Sequence, residues 1–177
     1  MVKPKLQPIP HVLESGTFLS ARRHILARPN PVLEERCVAV DPRDRSILDL
    51  AEAMVHTMRA AGCVALSAPQ IGELVRVFCM DVRGLLVLVN PSIVKRRGNA
   101  IMAEECMSVP HIVADVARAA QVLVEGFEPG SGRMIRLATN GLEARCIQHE
   151  IDHLDGVSFV ERTLEASAEP LARRWYA

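Results

Sequence analysis

The sequence predicts an α+β fold in which antiparallel β-sheets surround a central helix carrying His149-Glu150-Ile151-Asp152-His153. Three observations lead there. From Ser46 to Ala60, Ile47, Leu48, Leu50, Ala51, Met54, Val55 and Met58 recur at three-and-four spacing, the period of a helix that buries one stripe. Runs rich in β-branched residues come in pairs separated by short glycine-containing turns, as hairpins do. Two histidines four residues apart turn onto one helix face, roughly 6 Å apart along the axis, close enough to grip one cation.

Size and composition narrow the reading. A chain of 177 residues, 49% of them hydrophobic, supports one domain with a substantial core; we read residues 23–177 as that domain and 1–22 as an N-terminal arm. Lys+Arg and Asp+Glu are both 21, so the balance argues for neither a nucleic-acid surface nor a polybasic membrane patch. Cys37, Cys63, Cys79, Cys106 and Cys146 are scattered and odd in number, which argues against a disulfide framework and for a reducing cytoplasm. No stretch has the length of a membrane span or a signal-peptide core. Lys3, Lys5, Arg22 and Arg23 keep an organellar transit segment as the alternative.

The elements follow in order. Pro4, Pro8, Pro10 and Gly16 make the arm irregular, and Pro29-Asn30-Pro31 favours turns. Asp41-Pro42 is the expected start of the first helix and Gly62 its terminator; His56 lies off the buried stripe, on the surface. Cys63–Gly72 is a small-residue stretch that would let a ligand come close to the backbone. Val75–Asp81 and Leu85–Asn90 form a hairpin about Arg83-Gly84. Ile93–Met102 is an extended return through a solvated basic corner at Lys95-Arg96-Arg97-Gly98, and Glu104–Pro110 is a polar break between extended segments. Strands at Gln121–Glu128 and Arg133–Ala138 flank the turn Pro129-Gly130-Ser131-Gly132. Thr139 or Asn140 caps the last helix, which Ala144, Ile147, Ile151 and Leu154 anchor in the core and Gly156 ends. The tail from Glu161 holds a short helix and Pro170.

The chemistry centres on the histidine helix. Glu150, next to the first imidazole, is placed to serve a water as general base, and a third ligand would complete a catalytic site. The bland reading is a pair of core histidines satisfied by backbone, Asp152 or Asp155. Downstream of His153 only Glu161, Glu165 and Glu169 are left as ligands, at spacings that do not match zinc peptidases. Upstream, Cys106 lies in Glu104-Glu105-Cys106-Met107-Ser108, a better thiolate candidate than the other four cysteines, which read as small buried hydrophobes.

Three stretches together, Cys63–Gly72, Glu104–Ser108 and Gln148–Gly156, resemble the ordered signature motifs of peptide deformylases, usually GxGxAAPQxG, EGCLS and QHExDHLxG. The resemblance runs from about His24 to Leu164. It implies a metal-dependent hydrolase that removes the formyl group from the N-terminal formyl-methionine of nascent polypeptides. On it, Cys106, His149 and His153 bind one divalent metal ion, commonly Fe2+ with Zn2+ or Ni2+ as substitutes. Glu150 is the general acid/base, and Gln70 with the Met107 N–H stabilises the oxyanion. Main-chain groups at Val64 and Glu105 pair with the substrate in strand fashion. The implied partners are formyl-methionyl peptides, nascent chains and, transiently, the ribosome, with no membrane and no sequence-specific nucleic acid.

The chain also departs from the pattern. Cys63 and Ala65 stand where glycines are usual, Ser67 for an alanine, Glu105 for a glycine and Met107 for a leucine. By resemblance Val64, Met102, Leu142, Arg145 and Cys146 line the methionine pocket, where the Arg145 position is normally apolar. Arg145 is expected either to snorkel outward, to pair with Glu104 or Glu143, or to alter substrate choice. Arg118 is a further expected ion-pair partner of Glu104. The departures leave two alternatives: a deformylase-like enzyme with a changed formyl-amide substrate, and a non-catalytic metal-binding homologue.

Overall fold

Strand pairing and two helices organise the computed structural model, which describes residues 22–164 and 169–170. The expected arm lies outside the described residues except for Arg22. Helix α1 (Arg45–Ala61) precedes β1 (Ala65–Ser67), β2 (Val77–Asp81), β3 (Leu85–Arg97), β4 (Ala100–Cys106), β5 (Val109–Arg118), β6 (Gln121–Phe127) and β7 (Met134–Asn140). Helix α2 (Gly141–Leu154), a 3-10 turn at Phe159–Arg162 and β8 (Glu169–Pro170) follow. A five-stranded antiparallel sheet has the order β1-β2-β3-β6-β7, and a three-stranded one the order β4-β5-β8.

The continuous apolar runs of β2 and β3 have a physical cause: both strands are covered on two faces. Val77, Cys79, Val87 and Val89 pack with Met54 and Met58 of α1. Phe78, Met80, Leu86 and Leu88, alternating with them, pack with Ala144, Ile147, Ile151 and Leu154 of α2. Ile147 and Leu154 are fully buried, each contributing about 1.5–3 kcal/mol. That burial drives the α2 backbone into the interior and carries its polar residues with it. Gln148 anchors the helix further, its Nε2 donating to the Ala119 carbonyl at 3.0 Å and its Oε1 accepting the Ala119 N–H at 3.1 Å.

Several boundaries differ from expectation. Asp41 accepts the Arg43 N–H at 2.9 Å in a turn, so α1 starts three residues later, with Asp44 capping the Ser46 N–H at 2.9 Å. Gly62, at φ 69°, ends it. Strand β3 does not stop at Asn90; that residue, at φ 51°, kinks the strand while its side chain bonds both backbone groups of Val40, and pairing resumes. Lys95, Arg96 and Arg97 are therefore not a corner. Their backbone pairs with Leu123, Val122 and Gln121, and Gly98 at φ 67° makes the turn. The polar break shrinks to Met107 and Ser108, because Glu104–Cys106 belong to β4 and a full strand, β5, follows. Asn140 holds the N-cap position of α2 without a side-chain cap bond; the Thr139 hydroxyl instead donates to Glu143. No helix among the described residues is long and apolar enough to cross a membrane.

Candidate active site

The hairpin β4–β5 brings Cys106 against the face of α2 that carries the histidines. Cys106 Sγ lies 3.2 Å from His153 Nε2, and the donor atoms of Cys106, His149 and His153 all lie within 4.8 Å of one another. The two rings meet edge-on at 4.9 Å between centroids, and Phe159 stacks on His149 at 5.9 Å. One thiol and two imidazoles are the donor types a divalent transition metal takes, and their spacing suits a single ion. A second observation points the same way. Glu150, only 3% exposed, keeps its Oε2 without a hydrogen-bond partner beside this cluster. Burial pushes its carboxyl up to about 7, poising it to hold or release a proton near neutrality.

A carboxylate orients the first imidazole. His149 Nδ1–H donates to Glu104 Oε2 at 2.9 Å, which turns Nε2 toward the thiol. Burial opposes charge on His149, but Cys106 and Glu104 outweigh it and hold the imidazolium up to about 10, so a cation binding there displaces a proton. For His153 burial wins and the ring stays neutral, a ready ligand. Burial also opposes charge on Glu104, yet His149 and Arg118 hold its carboxyl down at about 2.

Glu104 is the hub of a buried charge chain. Arg118 grips both its oxygens, at 2.5 and 2.8 Å, and reaches Asp152 at 2.7 Å; Asp152 in turn takes a fork from Arg162 at 2.6 and 2.8 Å. Arg145 is the third residue to donate to Glu104 and makes the fourth bond, at 2.5 Å; its other bonds go to the carbonyls of Ala100, Met102 and Val116. Of the three placements expected for Arg145, the paired one is observed. Asp152 and Arg162 were not singled out from sequence as part of this chain; only the tertiary contact of the tail with α2 joins them.

Gln70 faces the cluster because Ser67 fixes its amide. Both the N–H and the hydroxyl of Ser67 donate to Gln70 Oε1, at 2.9 and 3.0 Å, so the amide nitrogen must point the other way. It reaches Ser108 Oγ at 3.2 Å and Cys106 Sγ at 3.5 Å. The hydroxyl at 67, a departure from the resembled motif, thus has a structural purpose.

These groups open onto a cleft of about 530 Å³. Val64, Ala65, Gln70, Glu105, Cys106, Met107, Leu142, Arg145, Cys146, His149 and Glu150 line it, and His153 is not among the lining residues. Met102 does not line it. It is exposed, and the Arg145 guanidinium that ties down its carbonyl stands in the wall instead. Cys63 also lines the cleft and is only half-buried, so it is not an ordinary core residue. Sequence reasoning missed Ala103, His111 and Ile112, which β4 and β5 bring to the rim. The unassigned strand β5 is the reason. Among the described residues both β1 and β4 are hydrogen-bonded on one side only, so two open strand edges flank the cleft.

A thiol, two imidazoles and a buried carboxylate, converging between open strand edges, define the class as a metallohydrolase. Residues 22–169 match the family model described as polypeptide deformylase, and the chain belongs to that family. It is 39% identical to the peptide deformylase of Syntrophomonas wolfei over 83% of this chain and 97% of that one. It is 42% identical to the peptide deformylase of Pelotomaculum thermopropionicum over 74% of this chain and 84% of that one. Among solved structures, a peptide deformylase from Legionella pneumophila superposes with a TM-score of 0.78 at 36% identity, covering 82% of this chain and 88% of that one. A Met-Ala-Ser-bound class I type b enzyme from Acinetobacter baumannii does so with a TM-score of 0.78 at 30% identity, covering 81% and 99%.

Proposed function

We propose that Cys106, His149 and His153 hold one divalent cation and that the chain uses it to hydrolyse the formyl group from the N-terminal formyl-methionine of nascent polypeptides, releasing formate. The observation that carries this reading is the convergence of those three donors beside the unpartnered Glu150 Oε2. Family membership supplies the substrate. The bound cation would supply Lewis acidity and a water of lowered pKa. Fe2+ is the proposed native ion, with Zn2+ or Ni2+ as substitutes.

Glu150 takes the proton of the attacking water and returns it to the departing amine nitrogen, a transfer for which a carboxyl near 7 is suited. Gln70 Nε2–H, aimed by Ser67, and the N–H of Met107 donate to the carbonyl oxygen as negative charge develops on it. Val64 and Ala65 pair with the peptide from the β1 side and Glu105 from the β4 side. Leu142, Arg145 and Cys146 form the wall against the methionine side chain. Residues 23–177 act as one metallohydrolase domain behind the arm 1–22, in the cytoplasm, with transient contact to the ribosome where nascent chains emerge.

The test is formate release from formyl-Met peptides by protein purified anaerobically with Fe2+. Glu150→Ala should retain metal and lose turnover by about 10²–10⁴-fold, whereas Cys106→Ala should lose metal. Undiminished turnover in Glu150→Ala, or metal bound stoichiometrically by Cys106→Ala, would refute the assignment.

A further inference from the structure

We infer that Glu105 selects the charge of the residue following formyl-methionine, favouring peptides with lysine or arginine there and disfavouring those with aspartate or glutamate. The inference rests on the proposed formyl-Met peptide substrate. Glu105 alternates along β4 with two buried neighbours, Glu104 and Cys106, so its side chain lies on the exposed face of the strand while lining the same cleft. It differs from the other acidic groups of that cleft. Glu104 is committed to Arg118, Arg145 and His149, and Glu150 is buried. Glu105 forms no ion pair among the described residues, and the arginine of the cleft wall, Arg145, is itself buried and bonded to Glu104. An exposed, uncompensated carboxylate therefore stands at the rim.

Geometry decides which substrate residue meets it. A peptide entering between the open edges of β1 and β4 is extended, so its successive side chains alternate between the two faces. When the first side chain enters the cleft, the second turns to the opposite, exposed face. Cross-strand neighbours lie on the same face and interact there, and Glu105 is the β4 residue on that face beside Cys106. A cross-strand pair of opposite charge corresponds to about a two- to five-fold gain in kcat/KM over a neutral residue, and like charges to a comparable loss.

The experiment is a competition in one vessel between C-terminally amidated formyl-Met-Lys-Ala, formyl-Met-Gln-Ala and formyl-Met-Glu-Ala, read as the ratio of deformylated products. The wild type should favour lysine over glutamate by roughly 4- to 25-fold, the product of the two effects. That ratio should fall toward one in 0.5 M salt. Glu105→Gln should flatten the ratio and Glu105→Lys invert it, and because a ratio is read, any general change in turnover cancels. A flat ratio in the wild type would overturn the inference whether or not the variants fold. So would a ratio that Glu105→Gln leaves unchanged. Failure to deformylate any of the three peptides would instead refute the proposed substrate.

Discussion

Replacing Arg145 by leucine removes one of the two guanidiniums that share Glu104 inside the protein. The residue is 4% exposed, and loss of its side chain deletes the 2.5 Å bond to Glu104 together with bonds to the Ala100, Met102 and Val116 carbonyls. Removing one member of a buried ion pair destabilises by about 3–5 kcal/mol, chiefly because the partner charge is left uncompensated. Here Arg118 still grips both Glu104 oxygens, so the loss should sit at the low end, about 3 kcal/mol. For a chain of this size that is a fall in Tm of about 6–12 °C. Arg118→Leu should fall further, by about 5 kcal/mol, because Arg118 bridges Glu104 and Asp152. The assay is thermal unfolding of both variants at one fixed metal concentration. A melting point for Arg145→Leu within about 2 °C of wild type, or a fall as large as that of Arg118→Leu, would refute the sharing of charge on which the comparison depends.

Two further outcomes follow from local geometry. Glu128 accepts bonds from Arg133 and Ser131 across the β6–β7 turn, and these hold its carboxyl below the usual glutamate value. Its stabilising effect should therefore be full above the ordinary glutamate pKa and disappear as pH falls through the lowered one. Discounted for the exposure of Arg133, Glu128→Gln should lower Tm by about 2–4 °C at pH 7, and the difference from wild type should shrink steadily in melts taken at successively lower pH; a gap that widens in acid would contradict this. Gly156, at φ 75°, faces the Glu34 carbonyl, and a Cβ there would lie 2.6 Å from its oxygen. Gly62 has nearly the same φ, 69°, with nothing within 4 Å. Gly62→Ala should thus show only left-handed strain, about 1–2 kcal/mol, and Gly156→Ala clearly more; equal losses in denaturant titrations would show that the backbone contact is unimportant.

By itself the sequence determined what local periodicity and motif order can carry. The stripe of Ile47, Ala51, Met54 and Met58 required a helix, the turn at Pro129–Gly132 required a hairpin, and the spacing of His149, Glu150 and His153 required one shared face. The motif around Cys106 made it the leading third ligand. Such features depend on residues a few positions apart, where backbone geometry alone fixes relative placement. Tertiary structure decided whatever depends on distant segments meeting. Pairing with Glu104, 41 residues away, was one of three placements open to Arg145, and Arg118 was an expected partner of the same carboxylate; only the fold selects that placement, makes the two arginines share the charge, and shows that Ser67 holds the Gln70 oxygen so that the amide nitrogen faces Cys106. Strand β5 escaped assignment for a related reason: its alternation is broken by Pro110 and by His111 at φ 70°, and its partners lie in β4 and the tail. Burial of α2 between the sheets puts a cost on each polar group it carries that lacks a partner, and only the folded chain shows which groups find one, as Gln148 does with Ala119, and which, like Glu150 Oε2, do not.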